Sequence, residues 1–183
     1  MHRPFLVILA LLGLLVAAPA QATSVVELPL PQHVAESTAV VEATVGVPHV
    51  TVNEETQRPL THTPLTVTGV LAGSAPAQLE ISQHKGRVGD RELFFPGDGE
   101  LEPGSTVIVF VIQAEGRWWL TALAQSVWTI DGTGDDAPAT RQLADLAFYE
   151  RNEAGKVVPA SKPVQSRTTL GALRAAITAA KGN

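Results

Sequence analysis

The chain has no cysteine, one methionine and one tyrosine among its 183 residues, and aromatic residues make up only 5% of it. The missing cysteine excludes a disulfide framework, a thiol nucleophile, a thiolate zinc site and lipid attachment through a modified cysteine. Basic residues are scarce as well. The 13 Lys and Arg stand against 18 Asp and Glu for a formal net charge of −5, and they form no basic block. A surface of that sign argues against nucleic acid or anionic lipid as the main partner. There is also no G-x-S-x-G nucleophile elbow, and no internal repeat.

One apolar run is present, at the start. Residues 1–22 read MHRPFLVILALLGLLVAAPAQA. His2 and Arg3 give a basic lead, an apolar stretch follows, Pro19 breaks it, and Ala20-Gln21-Ala22 supplies the small-x-small pattern of a cleavage site. At about 14 residues the stretch falls short of the roughly 20 needed to span a bilayer. The expectation is a signal peptide over 1–22 and a mature chain that starts at Thr23. The product would be exported, periplasmic or extracellular, with no stable membrane anchor after cleavage. Residues 23–183 then form a single β-rich domain that relies on apolar burial for its stability.

Alternating and continuous apolar segments mark the strands. Residues 24–28, 40–52, 63–71, 78–83, 106–112, 118–124 and 126–130 read as strands, and 140–149 leans to strand over helix. Val41, Ala43 and Val45 share one face of their segment. TVIVFVI at 106–112 is apolar on both faces, which predicts a central strand covered on both sides. Gly69 interrupts the alternation of its strand and suggests a bulge. Pro31 suits the first turn of a short helix around His33. Residues 85–102, rich in glycine, read as a long irregular connection of the kind that often carries function. Thr168 or Thr169 caps a terminal helix, assigned to 169–181, with Leu170, Leu173, Ile177 and Ala180 on one stripe. These elements predict a mainly β domain, a small barrel or sandwich of about six or seven strands with a C-terminal amphipathic helix laid against it.

Chemistry-bearing residues are thinly spread. His33, His49, His62 and His84 have no partner at the short spacing that puts two imidazoles on one metal, so neither a metal nor another cofactor is expected; only strands folded together would supply such a site. Asp131-Gly-Thr-Gly-Asp-Asp136 lacks the ligand order of a calcium loop. Lys85 and Arg87, beside Gly86, are candidates for anion binding in a loop. Trp118 and Trp119 must face opposite ways in a strand. Trp118 shares its face with Leu120 and Ala122, a core-like set, which leaves Trp119 as the candidate binding platform. No residue is singled out as catalytic.

The order of short motifs resembles that of uncharacterised exported bacterial β-barrel domains, some of which accompany matrixin-like metalloproteases. The resemblance is carried by Val34-Ala35-Glu36-Ser37, Val70-Leu71-Ala72-Gly73, Gln83 with Gly86 and Gly89, Pro96-Gly97, Gly104, Val109-Phe110, Leu123-Ala124-Gln125 and the terminal TTLGALRAAI. Lys85 and Ser126 stand where that pattern has glycine. The strand order also resembles the netrin-like, or tissue-inhibitor-of-metalloprotease-like, OB barrels, without their cysteines. The resemblance implies an OB-like barrel and a non-enzymatic binding module with a protein partner, a secreted metalloprotease being the class it suggests. Barrel-type inhibitors of such enzymes insert a freed N-terminal amine as a zinc ligand, which would assign Thr23 and Ser24 to binding. The alternatives are a hydrolase with scattered catalytic residues and a structural envelope protein.

Overall fold

The computed structural model describes residues 22–181. All but the last residue of the expected leader, and Gly182, lie outside the described residues.

Two strands organise the molecule, because each sends apolar side chains to both sides of the sheet. Strand β2 (Ala39–Val45) and strand β8 (Thr106–Ala114) pair antiparallel, with Val41 opposite Val109. Side chains alternate across a strand, so each sends one set of residues to either side. Val41, Ala43, Val45, Val107, Val109 and Val111 fill one core, and Val40, Ile108 and Phe110 enter another on the opposite face.

The first core is the inside of a closed barrel. From β2 the sheet continues through β4 (Pro59–Gly73) and β5 (Gln78–Gln83) to β9 (Arg117–Leu120), which pairs back onto β8. The contact between β5 and β9 is parallel and consists of one bridge, Ile81 with Trp118. Five strands therefore close on themselves. Closure leaves no free edge in the ring, which removes the commonest hazard of a β domain.

The second core lies outside the barrel, under two helices. Helix α1 (Leu30–Glu36) starts with proline in its first turn, where a missing N–H costs nothing. Helix α2 (Leu170–Ala180) is capped by Thr169, whose Oγ1 accepts from the Ala172 amide. Its buried stripe is Leu170, Leu173 and Ile177, packed with Val34, Phe110 and Trp128. Arg174 extends from the same helix to Glu42 on the outer face of β2, donating from Nη2 at 2.6 Å and Nε at 3.2 Å. Two bonds converging on one carboxylate oxygen, Oε2, fix the roll of α2 against the barrel.

The remaining strands are short. β3 (His49–Val52) pairs with β4; β10 (Val127–Ile130), β11 (Pro138–Thr140) and β14 (Arg167–Thr169) extend the sheet beyond β8. β6 (Gly86–Val88) and β7 (Arg91–Leu93) make a separate hairpin. β1 (Thr23–Val26) lies parallel to β12 (Leu146–Arg151), which also pairs with β13 (Val157–Pro159).

The domain is thus mainly β with a C-terminal helix, and it is a barrel rather than a sandwich. The strand count exceeds the expected six or seven: fourteen are present among the described residues. The excess consists of β3, β6, β7, β11, β13 and β14, each of three or four residues, and all but β3 fall in segments that did not read as strands. Residues 40–52 are two strands, not one, because Gly46, Val47 and Pro48 turn the chain between β2 and β3. The Gly46 amide there donates to Pro64 O at 2.7 Å, and Pro48 has no amide to donate. The expected irregularity at Gly69 is present. Between Val41–Val70 and Ala43–Val67 the register shifts, and Gly69 sits opposite Glu42. A second shift, between Val40 and Val41, turns Leu71 away from the barrel toward the helix-covered core.

Candidate functional site

The long connection after β5 builds a large open recess. It leaves the sheet at His84, forms the β6–β7 hairpin, presents Phe94 and Phe95, and returns over the barrel mouth through residues 96–105. Leu101 anchors it by entering the barrel core. Gly99 O ties it to the strand end, accepting from Gln83 Nε2 at 2.7 Å and from Lys85 Nζ at 3.0 Å. Gly97 has φ +78°, and a Cβ there would lie 2.2 Å from Leu146 Cδ2. Only glycine meets both demands.

Two recesses flank this segment. The larger is an open cleft of about 620 Å³ whose walls include Val50, Lys85, Arg87, Phe94, Phe95 and Asp98. The smaller, about 130 Å³, is bounded by Gln83, His84, Phe95, Asp98, Trp119 and Leu123. Phe95 and Asp98 form a wall of each, so the two are neighbours across one partition. Phe94 is 72% exposed and Phe95 43%, unusual for side chains that bury well.

Several candidates from the sequence converge here. Trp119 is half-buried, stacks on His84 with ring centroids 4.9 Å apart, and donates Nε1–H to Ala114 O at 3.3 Å. Trp118, on the opposite face, packs against the barrel core. Lys85 is engaged internally: besides its bond to Gly99 O, its Nζ lies 3.9 Å from Asp98 Oδ2. Arg87 is exposed on the rim, and its Nε donates to Gly89 O at 3.3 Å. Asp98 has its carboxyl pKa raised by burial, against the opposing pull of Lys85, Gln83, the Gly99 amide and His84. Gln83 is 3% exposed and its Oε1 has no hydrogen-bond partner among the described residues. The bond from Nε2 to Gly99 O fixes the amide, since a flip would set two oxygens against each other.

Thr23 and Ser24 line neither recess, though Thr23 touches the segment that builds the larger one. The Thr23 amide donates to Asp145 O at 2.9 Å, and its hydroxyl donates to Pro96 O in the segment that carries Phe95. Ser24 is exposed on the same edge strand. The N-terminal segment therefore braces the cleft's rear wall.

Two clusters were not legible in the sequence. On the outer face of β3, β4 and β5, His49, His62 and Glu80 bring one ligand atom each to within 4.8 Å of the others. On the far side of the barrel, His33 Nε2 lies 3.0 Å from Ser126 Oγ. That pair has the residue types of a hydrolytic dyad and fails its chemistry. Ser126 is 0% exposed and already accepts from the Ala122 amide at 2.6 Å. Burial, aided by Arg141, lowers the His33 pKa to about 3, far below the range of a general base at neutral pH. The dyad is a satisfied core contact. The adjacent phenylalanines had a visible signal, an apolar pair within an otherwise polar, glycine-rich loop. The His-His-Glu cluster had none, because it depends on strand register.

No family model, curated protein sequence or solved structure matches the chain.

Proposed function

We propose that the protein is an exported, non-enzymatic binding module that engages a protein partner through the two adjoining recesses lined by Phe94, Phe95 and Trp119. The observation that carries this reading is the buried Gln83 Oε1, an acceptor without a donor at the wall of a recess whose entrance is aromatic. A buried acceptor left unpaired costs about 1–3 kcal/mol, and a partner that supplies an N–H or O–H recovers that cost on binding. Exposed aromatic side chains around such a recess are the usual anchors of a protein interface.

The strand order β2–β4–β5–β9–β8 supports the OB-like reading, a fold that binds through one face of its barrel and the adjoining loops. Fold alone does not choose the ligand. A secreted metalloprotease is the partner class implied by the sequence resemblance. Insertion of a free Thr23 amine into a protease cleft would require β1 to leave β12, so the aromatic cleft is the better-supported contact surface.

The test uses mature protein with a photo-crosslinking residue at position 94, exposed to the producing cell's own secreted fraction. A discrete adduct is expected. Excess unlabelled mature protein should suppress it about tenfold, and excess F95S/W119S protein should not. Equal suppression by both competitors, or no adduct at all, overturns the assignment.

A further inference from the structure

We infer that His49, His62 and Glu80 form a binding site for a single divalent transition-metal ion of the zinc type. This site is separate from the aromatic cleft and does not depend on its role.

The register brings the three residues together. His49 lies directly opposite His62 across the β3–β4 pair. Glu80 pairs with Pro64, two places from the Ser82 that faces His62, and a step of two keeps a side chain on the same face. The imidazole rings of His49 and His62 have centroids 4.9 Å apart. Glu80 Oε1 lies 2.9 Å from His62 Nδ1.

That short contact is not a hydrogen bond. His62 Nδ1 is buried, yet it has no hydrogen-bond partner among the described residues, because the carboxylate oxygen lies off the axis of the ring nitrogen. Nδ1 is thus a buried nitrogen without a hydrogen bond, with a carboxylate oxygen close beside it. On the other side of the ring, Nε2 lies 2.8 Å from Thr51 Oγ1. When Nε2 carries the proton and donates to Thr51, Nδ1 is left unprotonated and free to ligate. A ring held this way by its second nitrogen is the usual arrangement of a metal-bound histidine.

Two imidazoles and a carboxylate suit zinc, at bonds of about 2.0–2.2 Å. Tetrahedral ligands at that radius sit about 3.4 Å from one another. The present separations, up to 4.8 Å, close by small rotations of His49, which is exposed, and of Glu80, whose side chain is 45% exposed. Three protein ligands leave a fourth position for water or for a donor from another molecule. The site spans three adjacent strands, so its occupation staples the β3 hairpin to the barrel.

The experiment is calorimetric titration of chelator-treated, tag-free mature protein with zinc chloride, repeated with cobalt chloride for its visible spectrum. One ion per chain is expected, with the cobalt spectrum of a tetrahedral nitrogen and oxygen site. His62→Gln should lower the affinity at least about 100-fold, and Thr51→Val about 10-fold, since it removes only the orienting contact. His49→Ala and Glu80→Gln alter more exposed side chains, and thermal melts establish that each is folded before its affinity is read. Both should lose the one-ion saturation. Glu54→Gln, an exposed carboxylate on the same hairpin, should bind like the parent. Failure of the parent to saturate at one ion, or saturation that survives H49A and E80Q, overturns the site.

Discussion

His33 Nε2 stands 3.0 Å from Ser126 Oγ in a wholly enclosed contact, while the His33 ring stacks on Phe110 at 4.1 Å between centroids. One histidine thus joins α1, the strand β8 and the turn before β10. Its neutrality is a condition of that packing, because a charged imidazole there has no carboxylate beside it and sits near the Arg141 guanidinium.

The first prediction is a loss of stability in acid. The folded protein holds His33 unprotonated down to about 3. The unfolded chain takes up that proton near its ordinary value of about 6.5. Between those limits the unfolded state binds more protons, so stability is complete above the upper limit and falls as pH drops toward the lower. The slope for one proton is about 1.4 kcal/mol per pH unit. Asp98 acts in the opposite sense. Its raised pKa means the folded state binds a proton first, which adds stability as pH falls through that value. Urea melts of the parent and His33→Gln at several pH values separate the two. The variant should lose the acid slope, and an unchanged slope would assign the effect to other groups.

The second prediction concerns the doubly covered strand. Phe110 is fully buried between β8 and the helices, and Phe110→Ala should cost about 3–5 kcal/mol or prevent folding. Thr66 lies exposed on β4, and Thr66→Ala should change stability by no more than about 0.5 kcal/mol. Val109→Ala, on the barrel side of β8, should fall between them at about 1–3 kcal/mol, because it removes less volume. Denaturant midpoints with unchanged slope would measure all three. Equal effects for Phe110 and Thr66 would contradict the face assignment.

The helix–strand framework was legible where one physical signal dominated. TVIVFVI announced a strand buried on both faces, Thr169 and the Leu170, Leu173, Ile177 stripe announced the capped helix, and Gly69 marked a bulge. Closure of the barrel was not legible, since it rests on one parallel bridge from Ile81 to Trp118 between strands far apart in the chain. The short strands in the connecting segments have too few residues to show a period. Lys85, Arg87 and Trp119 were chosen for residue type; Lys85 and Arg87 line the larger recess and Trp119 the smaller one beside it, while Gln83 and Asp98 gain their unusual states only through burial by the returning loop. His49 and His62 acquire a common face only when β3 folds back on β4. Neither their spacing nor their neighbours encode that.

The last prediction links processing to the cleft. Cleavage after Ala22 makes Thr23 the first residue, which the intact mass of the exported protein will show. Thr23 is then the start of the edge strand β1, its nitrogen beside Asp145 O and its hydroxyl on Pro96 O. A terminal ammonium donates at least as well as the amide, so cleavage preserves the strand contact. The hydroxyl bond holds the segment that turns at Gly97 and presents Phe95. Thr23→Val keeps the size and β-branching of the side chain and removes that bond, which should cost about 0.5–1.5 kcal/mol of stability. The loss should be local, seen as faster hydrogen exchange in residues 94–99 with the barrel strands unchanged. Partner capture by the cleft should weaken in proportion. Acetylating the Thr23 amine distinguishes this bracing role from protease inhibition through a zinc-bound amine. Acetylation leaves an N–H to donate to Asp145 O, so the braced cleft keeps its binding, whereas an inhibitor that ligates zinc through its amine loses its activity outright.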